Sequence, residues 1–380
     1  MKIVIAMDSF KGSLSAAEAG NAAAAGFLRA DPSAEIAVFP AADGGEGTTE
    51  ALVSGLHGQY RSITVSDPLG RPVSAAYGIL PDRTAVIELA AASGLTLLSA
   101  PERDPRKTTT RGFGEMIRDA VSEGCRSFLL GIGGSATNDG GMGMLRALGY
   151  RFLDRNGNSV PEGAAGLAAV AEIDSRGVMP ELSACTFHVA CDVKNPLCGE
   201  NGCSRIFAPQ KGADPEAVRS MDVSMQQYAA VVRRFFPEAD PDAEGAGAAG
   251  GVGFALQSIL HAECEPGIGL VIRLTGLIDA IRQADLVITG EGCLDAQTAM
   301  GKVPAGIAAA AKRYDKPVIA FGGIVKTGAE ACNTCGIDAY FPILRQICTA
   351  AEAMRPENAA AALTDTAEQV GRLIRFGAKK

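Results

Sequence analysis

Residues 128–143 read FLLGIGGSATNDGGMG. A short apolar run opens this stretch and passes into a loop with six glycines between Gly131 and Gly143, among which stand Ser135, Thr137, Asn138 and Asp139. An apolar strand that delivers a glycine loop into a helical pattern is how backbone N–H groups are aimed at a phosphate. Glycine serves there because the loop needs positive φ and close approach of a ligand to the backbone. Asp139 complicates a plain anion cradle. A carboxylate beside a phosphate repels it unless a cation lies between, so the loop points to metal–phosphate chemistry. Two rival readings exist. GIGGSA fits G-x-G-x-x-A, with Asp154 placed 23 residues after Gly131 as a ribose-binding acid would be. The loop can also be a turn that merely joins strand to helix. The polar run SATND is long for a dinucleotide turn, and no Lys-Ser or Lys-Thr closes a Walker A loop.

Outward from this loop, the two ends of the chain share one pattern. KIVIAM (Lys2–Met7) predicts a buried strand, Ser15 with Glu18 a capping box, and Ala16–Arg29 an alanine-rich helix stopped by Asp31-Pro32. Glu35–Phe39 predicts a second strand, which opens into Asp43-Gly44-Gly45-Glu46-Gly47 and a helix from Thr48. From Asp285 the pattern returns: a strand at Leu286–Thr289, the polar loop Gly290–Asp295 and a helix at Pro304–Arg313. Strands at Val318–Phe321 and Ala339–Ile343 and a last helix near Glu357–Phe376 complete it. Strand, polar loop and helix in repetition predict a parallel α/β sheet. Between these ends the pairing turns hairpin-like. Tyr60–Val65 and Val73–Leu80 are strand-like about Asp67-Pro68-Leu69-Gly70-Arg71-Pro72, and Phe187–Cys191 and a helix from Asp214 to Phe236 come later. A domain inserted into another is expected, with residues 1–60 plus 285–380 forming the outer one and 61–284 the inserted one.

At 380 residues, two domains are the default. Hydrophobic residues make 47% and charged residues 21% of the chain, enough for sizeable cores and without long disorder. A net charge of −8, no tryptophan and 5% aromatic residues argue against nucleic acid as a partner. No apolar run reaches the ~20 residues of a transmembrane helix, and the N-terminus is too short for a signal peptide. Ten irregularly spaced cysteines fit reduced thiols and a cytoplasmic protein. Cys332-Asn-Thr-Cys335 lacks a spaced partner pair for zinc, and the three histidines are isolated.

The acids fall at one recurrent place. Asp8, Asp43 with Glu46, Asp139, Asp192, and Glu291 with Asp295 each follow a predicted strand. In open α/β sheets ligands bind beyond the carboxyl ends of the strands. Any one of these acids can be a helix cap. Together they would repel unless cations or basic groups sat among them, and Lys11, Lys194, Lys211 and Lys302 occur in or beside the same loops. Acids, lysines and glycine loops are the parts of a phosphoryl-transfer site.

The chain resembles the bacterial glycerate kinases of the type-1 family. The matching blocks are DSFKGSLSA (Asp8–Ala16), ADGGEGT (Ala42–Thr48), IGGSATNDGGMGML (Ile132–Leu145), CDVKNPL (Cys191–Leu197), APQKGA (Ala208–Ala213) and ADLVITGEGCLDAQTAMGKVP (Ala284–Pro304), in family order. Cys203 stands where a smaller residue is expected. The resemblance implies a Rossmann-like three-layer domain with a second α/β domain inserted and an active site in the cleft between them. It implies ATP- and Mg²⁺-dependent phosphorylation of D-glycerate, at the 2-hydroxyl to give 2-phospho-D-glycerate and ADP, by a monomer or homodimer. The alternatives are 3-phosphorylation and, from GIGGSA, a dinucleotide-dependent oxidoreductase. Onto these motifs we place roles as expectations. Gly133, Gly134, Ser135, Thr137, Asn138 and Lys302 would bind nucleotide. Asp43, Glu46, Glu291 and Asp295 would hold Mg²⁺. Asp192 would be the base with Asp139 as alternate, and Lys11 would neutralise the transferring group. Ser9, Lys211, Asn195 and Arg71 would bind glycerate.

Overall fold

A computed structural model describes residues 1–377. Its strands are, in chain order, β1 (Lys2–Met7), β2 (Glu35–Pro40), β3 (Gln59–Ser66), β4 (Pro72–Ile79), β5 (Thr84–Glu88), β6 (Ser127–Gly131), β7 (Arg151–Leu153), β8 (Glu172–Asp174), β9 (Thr186–Ala190), β10 (Glu263–Glu265), β11 (Leu286–Leu294), β12 (Val318–Val325) and β13 (Ala339–Pro342). The chain divides into two compact units. Unit 1 comprises residues 1–43, 50–57 and the chain from 268 onward, and unit 2 comprises residues 44–49 and 58–267.

Unit 1 is a sheet in the order β13-β12-β11-β1-β2, every pair parallel. Ranked by position in the unit, that order is 2-1-3-4-5 read from β2, a doubly wound sheet whose switch point falls between β1 and β11. Alternation along β1 explains the layers. Ile3, Ile5 and Met7 pack with Ala19, Ala23 and Phe27 of helix Ala16–Ala30 and with Leu363, Ala367 and Val370 of helix Pro356–Gly377. Val4 and Ala6 face the other way, among Ile268, Ile272, Leu277, Ile281, Val303 and Ile307. The capping box of Ser15 and Glu18 forms as expected, Ser15 Oγ accepting from the Glu18 amide and the Glu18 carboxylate from the Ser15 amide. The inserted segment ends earlier than the sequence suggested. Helices Gly267–Leu274 and Leu277–Gln283 lie in unit 1 from Ile268 onward, because their apolar residues fill that core and not the other.

Unit 2 is a mixed sheet in the order β10-β9-β6-β5-β4-β3. The hairpin expected after residue 60 is β3–β4, antiparallel, and β4 runs antiparallel to β5. From β5 through β6 and β9 to β10 the strands are parallel. Phe128, Leu130, Phe187 and Val189 turn into a core shared with helices Arg111–Ser122, Pro215–Phe235 and Val252–Leu260. Three strands of three residues each, β7, β8 and β10, have no signal in the sequence, being too short to show an alternation.

Candidate active site

In unit 1 the acids gather where the switch point predicts. Met7 is in register with Gly290 on one side and with Pro40 on the other, so Asp8 and the Ala41–Asp43 segment leave β1 and β2 beside Glu291. Glu291 itself lies within β11, which runs on to Leu294 where a polar loop was expected. Asp8 is buried, and its pKa is pushed up to about 7. Burial is the main cause, the Asp43 charge adds to it, the Ser9 amide opposes it, and Glu291 and Lys11 follow with opposite signs. The Ser9 amide donates to Asp8 Oδ1 at 2.7 Å. Glu291 is raised as well, chiefly by burial, against the Thr298 hydroxyl that donates to its Oε1 at 2.5 Å and Lys302, whose Nζ lies 3.7 Å from Oε2. Asp295 accepts from the Gln297 amide at 2.9 Å and shapes the turn that carries Thr298. Lys11 is exposed one turn past Asp8, and Lys302 precedes helix Val303–Lys312.

This oxygen-only donor group suits a hard divalent cation, since added positive charge would relieve the repulsion that helps lift Asp8. The set expected from sequence does not form a closed cage. Glu46 belongs to unit 2, and among the described residues no three acids, histidines or cysteines converge closely enough to hold a metal by themselves. Asp8, given no role from sequence, sits among Asp43 and Glu291, and a cation there would complete its shell with phosphate oxygens and water, the habit of Mg²⁺.

In unit 2 the glycine loop leaves the carboxyl end of β6. Gly131 is in register with Glu88 of β5 and Ala190 of β9. A Cβ on Gly44 would lie 2.2 Å from the Ala190 Cβ, and one on Gly131 would lie 2.6 Å from the Gly44 carbonyl oxygen. The Gly44–Thr49 segment therefore lies directly over this sheet edge, with backbone approaching backbone. Glu88, unnoticed in the sequence, anchors it by accepting from the Thr49 amide at 2.7 Å, and burial raises the Glu88 pKa. Gly133 and Gly134 are exposed, and Gly134 has φ +71°. Glu46 is exposed in the covering segment. Asp192, one residue past Cys191 at the end of β9, is exposed and accepts from the Gly267 amide at 3.2 Å. Asn195 holds its own loop by donating to the Asn201 carbonyl at 2.8 Å.

Several expectations are corrected. Asp139 is fully buried and accepts from the Thr110 amide and hydroxyl (2.8 and 2.9 Å) and from the Gly141 and Gly143 amides (both 3.1 Å). Burial raises its pKa while those donors hold it down, so it fastens the loop to two helix starts and has no lone pair facing outward to act as a base. Thr137 and Asn138 are likewise inside: Asn138 Nδ2 donates to Ser204 Oγ at 2.9 Å, and Thr137 Oγ1 and Asn138 Oδ1 are buried without a protein partner. Arg71 is bound to Asp67 and Glu102, each at 2.6 Å, in the β3–β4 turn and is not available for a substrate carboxylate. Lys211 is buried beneath the loop, where it donates to Ser135 Oγ at 2.8 Å and to the Thr137 carbonyl at 2.7 Å. Asp154 caps a tight turn after β7 by accepting from the Asn156 and Asn158 amides. It follows a strand of the small β7–β8 sheet and not one of the sheet that carries GIGGSA, which removes the ribose-binding acid from the dinucleotide reading. All ten cysteines are free thiols, Cys332 and Cys335 among them.

Parallel strands delivering buried acids at a switch point, and a glycine loop at the carboxyl end of a second sheet, define an α/β enzyme of the phosphate-handling kind. Comparison with known proteins gives the particular family. The model of the glycerate kinase family matches residues 3–375, and the chain belongs to that family. It is 48% identical to the glycerate 2-kinase of Escherichia coli K12, over 93% of each chain. It is 45% identical to a glycerate kinase of Haemophilus influenzae over 99% of each, and 46% identical to one of Bacillus subtilis over 90% of each. A crystal structure from Salmonella typhimurium LT2, described there only provisionally as glycerate kinase 2, superposes over the whole of both chains with a TM-score of 0.92 at 45% identity. No helix among the described residues is long and apolar enough to cross a membrane.

Proposed function

We propose that this chain transfers the γ-phosphoryl group of ATP to the 2-hydroxyl of D-glycerate, giving 2-phospho-D-glycerate and ADP. The observation that carries the reading is the acid group at the switch point of unit 1, where Asp8 is lifted to about 7 beside Asp43 and Glu291. Such a group is short of positive charge, as a site for a metal-bound polyphosphate should be. The relative from Escherichia coli bearing the 2-kinase name supports the position of transfer.

Each unit then has its part. Asp8, Asp43 and Glu291 would hold Mg²⁺, with Asp295 shaping the turn behind them. When bound, the ion would supply charge neutralisation on the phosphate oxygens. Lys302, whose Nζ lies 3.7 Å from Glu291, and Lys11, whose charge acts on Asp8, add positive charge beside these acids. In unit 2 the exposed backbone of Gly133 and Gly134 offers N–H groups to phosphate oxygens, and the exposed carboxylate of Asp192 takes the proton of the attacking hydroxyl. The hydroxyl oxygen forms a bond to phosphorus as the bond to the β-phosphate bridging oxygen breaks, and ADP departs with that electron pair.

A coupled ADP-release assay with D-glycerate, followed by phosphorus NMR of the product, tests the proposal. The expected result is ADP formation that needs D-glycerate, with the new phosphorus resonance coupled to a single proton, that on C2. Coupling to two protons would assign 3-phosphorylation, and absence of D-glycerate-dependent ADP would overturn the reading. Asp192→Asn should lower kcat by about 10²–10⁴ with a small effect on KM, the range for a lost general base.

A further inference from the structure

We propose that Lys211 is a positioning residue that sets the direction of the Ser135 hydroxyl, turning it outward as a hydrogen-bond donor to a phosphate oxygen at the glycine loop. The inference deepens the proposed phosphate binding at this loop and rests on it. Lys211 lies in the turn Pro209–Lys211, 2% exposed, and its Nζ donates at 2.8 Å to Ser135 Oγ and at 2.7 Å to the Thr137 carbonyl oxygen. The two acceptors differ in kind. A carbonyl oxygen can only accept, so Thr137 claims one N–H whatever the protonation of the amine. A serine hydroxyl can accept or donate. While Lys211 is an ammonium it has no lone pair, so Ser135 must accept from it and the Ser135 proton points elsewhere. Ser135 follows the exposed Gly133 and Gly134, and Gly134 turns the chain at φ +71°. Once Lys211 is neutral, its lone pair can accept a hydrogen bond from the Ser135 hydroxyl, which then presents its lone pairs to an anion.

The reversal is accessible because burial lowers the Lys211 pKa to about 8. The groups that face it are Cys203, from helix Cys203–Phe207, and Asp139, from the glycine loop, and both oppose the shift. The Cys203 thiol is itself pushed up to about 11 by burial. Burial raises Asp139 as well, against the Thr110, Gly141 and Gly143 donors that hold its carboxylate. Lys211 is the member of this group that donates to Ser135. The affinity of the loop for a phosphate ligand should therefore fall as pH rises through about 8.

The test is calorimetric binding of ADP and of inorganic tripolyphosphate to the full chain between pH 7.5 and 9.5, above the range in which Asp8 changes charge, beside the D-glycerate kinase assay. Wild-type affinity should fall about tenfold across that range, the scale of one charge-assisted hydrogen bond lost. Lys211→Arg keeps its charge throughout, so it should bind within about threefold of wild type at pH 7.5 with the pH dependence abolished. Ser135→Ala should lose about tenfold at pH 7.5 and also become flat with pH, and adding Lys211→Met to it should cost little more. The wild-type profile and Ser135→Ala do not require Lys211→Met to fold. A flat wild-type profile, a pH dependence that persists in Ser135→Ala, or no binding of either probe would overturn the inference. Failure of the kinase assay with pH-dependent ADP binding intact would overturn the proposed reaction and leave the positioning role standing.

Discussion

Burial does more than charge to lift Asp8, and Asp43 adds to it before the Ser9 amide pulls it back. A carboxyl whose folded pKa is about 7 against an ordinary 3.8 binds more protons in the folded state between those values. Its contribution to stability is complete below about pH 4 and is lost as pH rises through about 7. Asp8→Asn should therefore come close to the wild type in urea at pH 4 and exceed it at pH 8, by on the order of 2–4 kcal/mol without added metal. Equal stability at both pH values would show that Asp8 carries no such charge stress. Asp139 presents the opposite case. Asparagine there keeps one acceptor but turns an NH₂ toward amide donors, so Asp139→Asn should lower the melting temperature, at a cost of about 2–4 kcal/mol, together with activity. Activity lost at unchanged melting temperature would restore Asp139 as a chemical participant. Thr137→Val removes a buried hydroxyl without a protein partner and should leave stability within about 1 kcal/mol of wild type or above it.

Among the elements, helices Ala16–Ala30 and Pro356–Gly377 approach so closely that a side chain changes the interface. A Cβ on Gly26 would lie 2.2 Å from the Thr364 carbonyl oxygen and 2.7 Å from the Ala367 Cβ. Alanine is the better helix former by about 1 kcal/mol, yet the clash is with backbone and cannot move aside. Gly26→Ala should lower stability by about 1–3 kcal/mol. Gly269, in helix Gly267–Leu274, would put its Cβ in open space, so Gly269→Ala should raise stability by about 0.5–1 kcal/mol. Thermal melts of the two variants side by side separate packing from propensity, and equal shifts of one sign would refute the account of the Gly26 contact. The glycine loop of unit 2 obeys the same logic. Asp139 and Lys211 tether it from below, which leaves Gly133 and Gly134 as the part free to meet a ligand.

For the whole molecule, the proposed role of the unit 1 acids predicts that stability depends on divalent cations. A chelator should abolish phosphoryl transfer and Mg²⁺ should restore it. At pH 8 saturating Mg²⁺ with ADP should raise the melting temperature of the wild type by several degrees and that of Asp8→Asn by less. An activity indifferent to chelation would remove the metal from the proposal.

Periodicity, caps and breakers were enough to read Lys2–Met7, the capped helix after Ser15, the hairpin after residue 60 and the helix that Asp214 opens, because each signal is local. The same local reading placed Asp8, Asp43, Asp192 and the glycine loop at strand ends, and the motif blocks carried the family, while Glu291, expected in a loop, lies within β11. What each polar group does was not local. Asp139 and Thr137 look like ligands in SATND and are buried, Arg71 looks free and is bound by Asp67 and Glu102, and Lys211 looks like a solvated charge and lies beneath Ser135. Glu88 and Thr298 gave no sign of their part as anchors. A side chain's desolvation and partners depend on which distant segments pack over it, and that is settled only when the sheets are assembled, not by the order of residues along one strand and its loop.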